Sequence, residues 1–522
     1  MIILSILVPV AAGLFLLLTP EWKNRKSLCG YTAFFLLLAA GFVTGALFVT
    51  PDNVPITVFN LTKTLPLLFK VDGVGRFFAV LTTIVWLLAG LHAFSYMSHE
   101  QKEKRYYGFY LIVYGVLIGL DFSGNLITFY AFYELMTLAA LPLVLHTGTK
   151  QAILAGMKYL FFSFAGAYMA LFGLYYLNRY ANTLSFTAGG VLDTALINGK
   201  EGLLLTVAFV MLLGFGVKAG MFPMHVWLPA AHPVAPAPAS GVLSGIIVKA
   251  GVLGSIRTVY YLFGADFLKG TWVQKVWLIL ILLTVLLGSM MAYREKGLKK
   301  RLAYSTVSQV SYILFGLAML TPASFTGAFL HTFAHAFMKC GLFLIAGAII
   351  YKTGKTRVDE LSGIGRKMPV TMACFTILSL SLIGIPPFAG FVSKWYLGVG
   401  SMAADMPVFS ILGPAVLLVS ALLTAGYLLP IAVKGFLPGE SDKPEESNKP
   451  GGSDKPEEEN ETSGMAASVA CKEQERREAP VFMRIPIVIF TLLVVFFGMF
   501  PERIISFIGN TAGMIFKEMM GG

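Results

Sequence analysis

Apolar residues fall in long runs along this chain, separated by short clusters rich in Lys, Arg, Gly and Pro. A run of about 18 or more such residues is long enough, as a helix, to cross a hydrocarbon core of roughly 30 Å. Read in this way, the pattern predicts about fourteen spans. They lie at about 2–19, 28–49, 71–96, 107–122, 125–145, 153–177, 203–222, 237–261, 271–292, 302–320, 324–351, 369–400, 408–434 and 482–500. The predicted fold class is therefore an all-α polytopic membrane protein, because a helix satisfies its own backbone hydrogen bonds where no water is present.

Proline interrupts the pattern twice. Pro386 and Pro387, after Gly384, should break the twelfth span, since proline lacks the amide donor and clashes with the preceding turn. The connection between 203–222 and 237–261 holds Pro223, Pro229, Pro233, Pro236 and Pro238. Each break has a lysine beside it, Lys218 before the first and Lys394 after the second. Paired interruptions in corresponding positions of two halves point to a transport site, and they divide the chain. Residues 1–106 carry the first three helices, 107–261 one five-helix block and 271–434 another, each block with a broken fourth helix. An odd number of spans per block would invert the second relative to the first. Residues 435–481, which contain ESDKPEESNKP and SDKPEEEN, bury too little apolar surface to offset their ordering entropy and are expected to form a disordered cytoplasmic linker. Residues 482–522 supply the last span and a tail, read either as an interfacial helix or as a continuation of that span.

Composition sharpens this. Of 522 residues, 56% are hydrophobic and 13% charged, which excludes an ordinary soluble domain. The first run, Met1 to Thr19, has no basic flank and no small-residue cleavage site, so it is read as a retained span. The formal charge of +12 resides in loops rather than on an aromatic-laced face, so nucleic acid is not expected. One alternating set of loops holds roughly 17 Lys and Arg against roughly 5 in the other, which predicts a multi-pass protein of the cell inner (plasma) membrane with both termini outside. The four cysteines form no C-x-x-C pair, and no glycine-rich nucleotide loop follows a strand. No metal and no cofactor are expected in this chain, so a redox or ATP-driven role needs other subunits.

The polar residues inside the spans carry the functional reading, because an ionised side chain in hydrocarbon is costly and tends to mark an ion pathway. Glu134 sits mid-span, where it needs a cation. Lys218 is its partner on chemical grounds, although snorkelling towards the break competes as an explanation. Lys249 lies deeper. A lysine out of water holds its proton less tightly, which suits a proton carrier. His331, His335 and Lys339 fall at i, i+4 and i+8 on one helix face, as a relay would need. The glutamate of H-E-x-x-H is absent, which disfavours zinc, and no matching histidine helix supports haem. Lys394 completes the row. His225 and His232 flank the first break, as caps or as a cytoplasmic mouth. Asp72 reads as a helix-terminal or interface residue, and Arg257 as a helix-end residue.

On these residues the chain resembles the antiporter-like subunits of respiratory complex I, Mrp cation/proton antiporters and membrane-bound hydrogenases. The matching stretches are FKVDGVGRFF, the span holding Glu134, VKAGMFPMHVWLPAAHPVAPAPASGVLSGIIVKAGV, HTFAHAFMKCGLFLIAG and GIPPFAGFVSKWYL, over most of residues 70–435. The resemblance implies fourteen helices with two inverted five-helix repeats, and a hydrophilic axis in the membrane plane. It implies a coupling pair Glu134–Lys218, a connecting Lys249, a relay His331–His335–Lys339 and an exit-side Lys394. It also implies partners: other antiporter-like and small membrane subunits, with a redox arm or within an Mrp assembly, and H⁺ or Na⁺ as the ion. Relatives with LPDAH and HPEAP or HSEAP place acids where this chain has Ala230 and Val234. The alternative is a membrane scaffold that docks redox subunits without pumping.

Overall fold

The computed structural model describes residues 1–62, 65–437 and 478–519. Helix dominates. The main helices are α1 (Ile2–Leu18), α2 (Arg25–Val49), α3 (Gly73–Tyr96), α4 (Glu103–Asp121), α5 (Leu126–Val144) and α6 (Lys150–Tyr180). There follow α7 (Glu201–Ala219), α8 (Trp227–Val234) and α9 (Ala237–Phe263), the last with π-helical turns at Leu243–Ile247 and Arg257–Phe263. The second half contains α10 (Trp272–Arg294), α11 (Leu298–Ala318), α12 (Pro322–Thr353), α13 (Pro369–Ile383), α14 (Ala389–Met402), α15 (Pro407–Phe436), α16 (Val481–Met499) and α17 (Glu502–Met519). Among the described residues, ten helices are long and apolar enough to cross a membrane. Of the expected linker, residues 438–477 lie outside the described residues.

The expectation of a purely helical chain needs one correction. Strands β1 (Ile56–Thr62) and β2 (Leu65–Phe69) form an antiparallel hairpin between α2 and α3. β-Branched Ile56, Thr57, Val58 and Thr62 suit a pleated ribbon, and Phe69 pairs onward with Ser123. The tail forms its own element: α17 is a helix separate from α16, with Ile508, Ala512, Ile515 and Phe516 buried and Met514 exposed. Phe516 packs on Tyr260 and Phe325.

Loops sort onto two faces. On the basic one, Arg25 pairs with Glu103 at 2.9 Å, Lys104 bonds the Thr19 carbonyl, Arg105 bonds the His146 carbonyl, and Gly297 bridges Arg357. On the opposite face, Lys70 N donates to the Phe122 carbonyl, Asn125 bridges Ser185, and Val191 N donates to the Leu262 carbonyl. These contacts join loops of the basic set to one another and loops of the basic-poor set to one another.

Both predicted breaks are present. Helix α7 ends at Gly220 (φ 79°) and α13 at Gly384 (φ 98°), each in the left-handed conformation that glycine adopts without a Cβ penalty. Beyond the second break the half-helices pack closely: a Cβ on Gly390 would lie 1.8 Å from the Ser381 carbonyl oxygen.

Candidate functional site

Every lysine and histidine that the spans single out is at least half-buried, and most are fully so. Lys218, Lys249, His331, His335, Lys339 and His232 have no more than 1% of their surface exposed. A charge or imidazole kept so far from water needs partners, and these partners define the site.

Lys218, in the last turn of α7, is held by hydroxyls. Its Nζ donates to Thr137 Oγ1 (2.9 Å), Ser163 Oγ (2.8 Å) and Tyr159 OH (3.3 Å) from α5 and α6. The Tyr159 ring lies 4.6 Å away and that of Trp227 6.0 Å, so aromatic faces complete the cage. Glu134 is half-buried one helical turn before Thr137, accepts from Tyr130 OH at 3.4 Å, and makes no ion pair with Lys218 among the described residues. Its Oε2 is buried without a hydrogen-bond partner. The implied Glu134–Lys218 pair is therefore open in this conformation.

The second group is contiguous. Lys249 Nζ donates to the Ser244 carbonyl (2.7 Å), in the first π-helical turn of α9, and meets His335 Nδ1 at 2.6 Å. Local π turns free carbonyls that a cation can use. The His335 ring lies 6.0 Å from that of His331, one turn away on α12. His331 Nδ1 bonds Ser393 Oγ at 2.9 Å and its ring stacks on Tyr312 at 5.4 Å. Lys394 Nζ sits 5.0 Å from the same Tyr312 ring and donates to the carbonyls of Leu382 (2.8 Å) and Ile383 (2.7 Å), at the C-terminal end of α13. A cation is favourable there because the dipoles of the half-helix point their negative end at it. Lys339 stands one turn beyond His335 and donates to the Leu302 carbonyl at 3.0 Å.

Between the two groups the helices are in close contact. A Cβ on Gly251 would meet the Phe215 carbonyl at 2.4 Å and Ala219 N at 2.6 Å, so α7 and α9 touch backbone to backbone between Lys218 and Lys249. His232 stacks on Phe343 at 4.5 Å with both ring nitrogens unpartnered, and half-buried His225 lies beside Phe222. Neither is hydrogen-bonded to the row.

Sequence reading missed one face of α11. Leu302, Thr306, Gln309 and Tyr312, at i, i+4, i+7 and i+10, share one side of the helix. Leu302 receives Lys339, Thr306 Oγ1 bonds Ser244 Oγ at 2.7 Å, and Tyr312 backs His331 and Lys394. Gln309, between them, is fully buried with both amide atoms unpartnered. The signal was present in AYSTVSQVSY, a cluster of hydroxyls and an amide too dense for a lipid-facing span. Asp72 and Arg257 were also undervalued: they form a buried bidentate pair at 2.6 and 2.9 Å. Lys299, on the basic face, donates to the Pro233 carbonyl at 3.2 Å and to that of Ala235, at the end of α8.

Residues 123–424 match the family described as NADH:quinone oxidoreductase/Mrp antiporter, TM. NADH-quinone oxidoreductase subunit N of Desulforudis audaxviator is 33% identical over 84% of this chain and 82% of its own length. A Na(+)/H(+) antiporter subunit of Bacillus subtilis is 28% identical over 72% of this chain and 75% of its own length. A chain in the solved Mrp complex from Dietzia sp. DQ12-45-1b shares the fold, with a TM-score of 0.81 and 20% identity over 99% of this chain and 97% of that one. The chain is an integral multi-pass membrane protein that belongs to the NADH:quinone oxidoreductase/Mrp antiporter transmembrane family.

Proposed function

We propose that this chain is a proton-translocating subunit of a multisubunit membrane complex, and that protons move along Glu134, Lys218, Lys249, His335, His331 and Lys394. The observation that carries this is the run from Lys249 through His335 and His331 to Ser393 and Lys394, with hydrogen bonds of 2.6 and 2.9 Å on either side of two imidazoles whose rings are 6.0 Å apart. Imidazole both donates and accepts near physiological pH, so the run can pass a proton once a water or a ring rotation bridges the two histidines.

The Lys218 end supplies control. At an effective dielectric of about 20, a carboxylate about 4 Å from an ammonium stabilises it by about 4 kcal/mol, and at about 8 Å by about 2 kcal/mol. The difference, roughly thirtyfold in an equilibrium, separates a lysine that keeps its proton beside Glu134 from one that releases it when turned to the Thr137–Tyr159–Ser163 cage. Release towards Lys249 requires the Gly251–Phe215 contact to admit water, so passage is gated rather than free.

The reading includes fourteen crossings with two inverted five-helix repeats, an inner (plasma) membrane location, the basic face in the cytoplasm and both termini outside. It extends to partners. Glu134 and Lys394, the two ends of the row, are the half-buried ones and reach the side of the molecule, where neighbouring membrane subunits would continue the path. Relatives named as quinone-reductase and Na(+)/H(+) antiporter subunits support a complex of either kind. The test is the complete complex in proteoliposomes carrying Glu134→Ala or Lys218→Ala. The expected result is a retained assembly that has lost this chain's share of proton transport; unchanged transport of protons or sodium would defeat the proposal.

A further inference from the structure

On the face opposite the basic loops a cavity of about 690 Å³ opens between the hairpin side of α3 and the C-terminal helix α17. Asn53, Lys70, Asp72, Thr187, Tyr261 and Thr511 give it polar walls. Asp72 lines its floor and is paired with Arg257, which lies buried behind it; the row described above uses neither. Asp72 caps α3 by accepting from Gly75 N at 2.7 Å, takes both guanidinium nitrogens of Arg257, and has Lys70 Nζ at 3.9 Å. Arg257 is clamped between the rings of Phe186 and Tyr261, at 4.7 and 4.6 Å, and its Nε is buried without a hydrogen-bond partner. Lys70 in turn donates to the Phe186 carbonyl at 2.6 Å.

This floor is joined to the proton row by two elements. Arg257 is eight residues beyond Lys249 on α9, two helical turns or about 12 Å towards the cavity. It opens the second π-helical turn of that helix, as Ser244 belongs to the first. On the other side, α3 runs from Asp72 to Val85, which packs at Gly245, beside Lys249's own stretch of α9. Midway along α3, Thr82 donates to the buried carboxylate of Asp121 at 2.8 Å, and the Asp121 carbonyl packs against Gly75. Asp72 and Thr82 on α3, with Asp121 at the end of α4, thus lead from the cavity floor inwards, on elements that carry no other task in the row. Lys394, the other candidate outlet, has its ammonium turned onto the carbonyls of Leu382 and Ile383.

We infer that the cavity over Asp72 and Arg257 is an outer proton port of the Lys249 segment, with Asp72 the last protein group to hold the proton before water. The inference rests on the function proposed above. A proton leaving the Lys249 ammonium passes by way of Asp121 to Asp72. The neutral acid no longer holds both arms of Arg257, and the proton departs to cavity water as the carboxylate re-forms its pair. Lys249 is left neutral, ready for the next proton from Lys218, so charge is conserved at each step. Lys70 keeps the port cationic at its rim, which drives a released proton outward and discourages its return.

The experiment uses the whole complex in proteoliposomes with Thr187→Cys at the cavity wall. A membrane-impermeant, positively charged methanethiosulfonate is applied to the outer face, with the parental chain as control for the native cysteines. Labelling confirmed by mass should lower the proton flux at least fivefold in the variant and leave the parental complex unaffected. Asp72→Asn should lower flux to a similar extent, and Asp72→Glu should restore part of it. Complete labelling with unchanged flux overturns the port, as does a Thr187→Cys that the reagent cannot reach. Lys218→Ala is measured alongside. If it abolishes this chain's flux while labelling does nothing, the port alone fails; if it leaves flux intact, the proton-translocating reading fails with it.

Discussion

The two broken helices place their lysines in opposite ways. At the first break Lys218 precedes the interruption, and its ammonium is caged by side chains: three hydroxyls and the rings of Tyr159 and Trp227. At the second, Lys394 follows the interruption and is held by two backbone carbonyls at the end of the preceding half-helix. Hydroxyl rotors can turn away within their helices, whereas the carbonyls of α13 are fixed by the helix itself. The first lysine is built to change partners and the second to stay. On the proposed function, that difference would separate control from conduction, with the Lys218 end as the switch and the segment from Lys249 to Lys394 as the standing connection.

Four substitutions bear on this contrast. The largest effect is expected from Gly390→Ala, because a Cβ there would lie 1.8 Å from a backbone oxygen of the preceding half-helix. Overpacking costs about 1–3 kcal/mol or more, so the chain should fail to assemble, read as lost complex on native gels. His335→Phe keeps an aromatic ring but removes the partner that holds the Lys249 ammonium at 2.6 Å, on which both outlets depend; proton flux should fall by about a hundredfold or more with assembly intact. Thr137→Val removes one of three oxygen partners of Lys218 and tips it towards Glu134. A hydrogen bond to a charged group is worth about 1.5–3 kcal/mol, so transport should slow about tenfold, measured with a pH-sensitive dye. Ser393→Ala loses a neutral bond of about 1 kcal/mol to His331 and should cost only a few-fold in rate. Should Ser393→Ala prove as severe as His335→Phe, the conducting segment would depend on hydroxyls too, and the contrast between the halves would disappear.

Much of this was legible in the sequence because charge in hydrocarbon is rare enough to stand out. Lys218, Lys249, His331, His335, Lys339 and Lys394 could be singled out from their places inside apolar runs, and the proline breaks from backbone chemistry. Their hydroxyl partners could not. Ser and Thr are ordinary inside helices, where most bond their own carbonyl four residues back, as Thr306 does to Leu302 at 3.0 Å. Only register across helices shows that Thr306 also reaches Ser244, and a single sequence carries no such register. The same limit hid the Asp72–Arg257 pair, whose members are 185 residues apart. The hairpin escaped because LPLLF reads as the approach to the next apolar span. The close contact at Gly251 was invisible for another reason: a glycine announces close approach without naming what approaches.

The open Glu134–Lys218 arrangement and the close Gly251 contact fit one conformation of the gated path proposed above. If the proposed function holds, a row of costly ionisable groups need not leak, because the backbone contact at Gly251 separates Lys218 from the segment that starts at Lys249.

The most direct test is Lys249→Met in the purified complex, reconstituted in proteoliposomes, with proton flux followed by an entrapped pH indicator. Lys249 is the one group that both halves must use. The account predicts an assembled complex from which this chain's share of the flux is gone. Flux undiminished with methionine at this position would show that protons do not pass through the buried row.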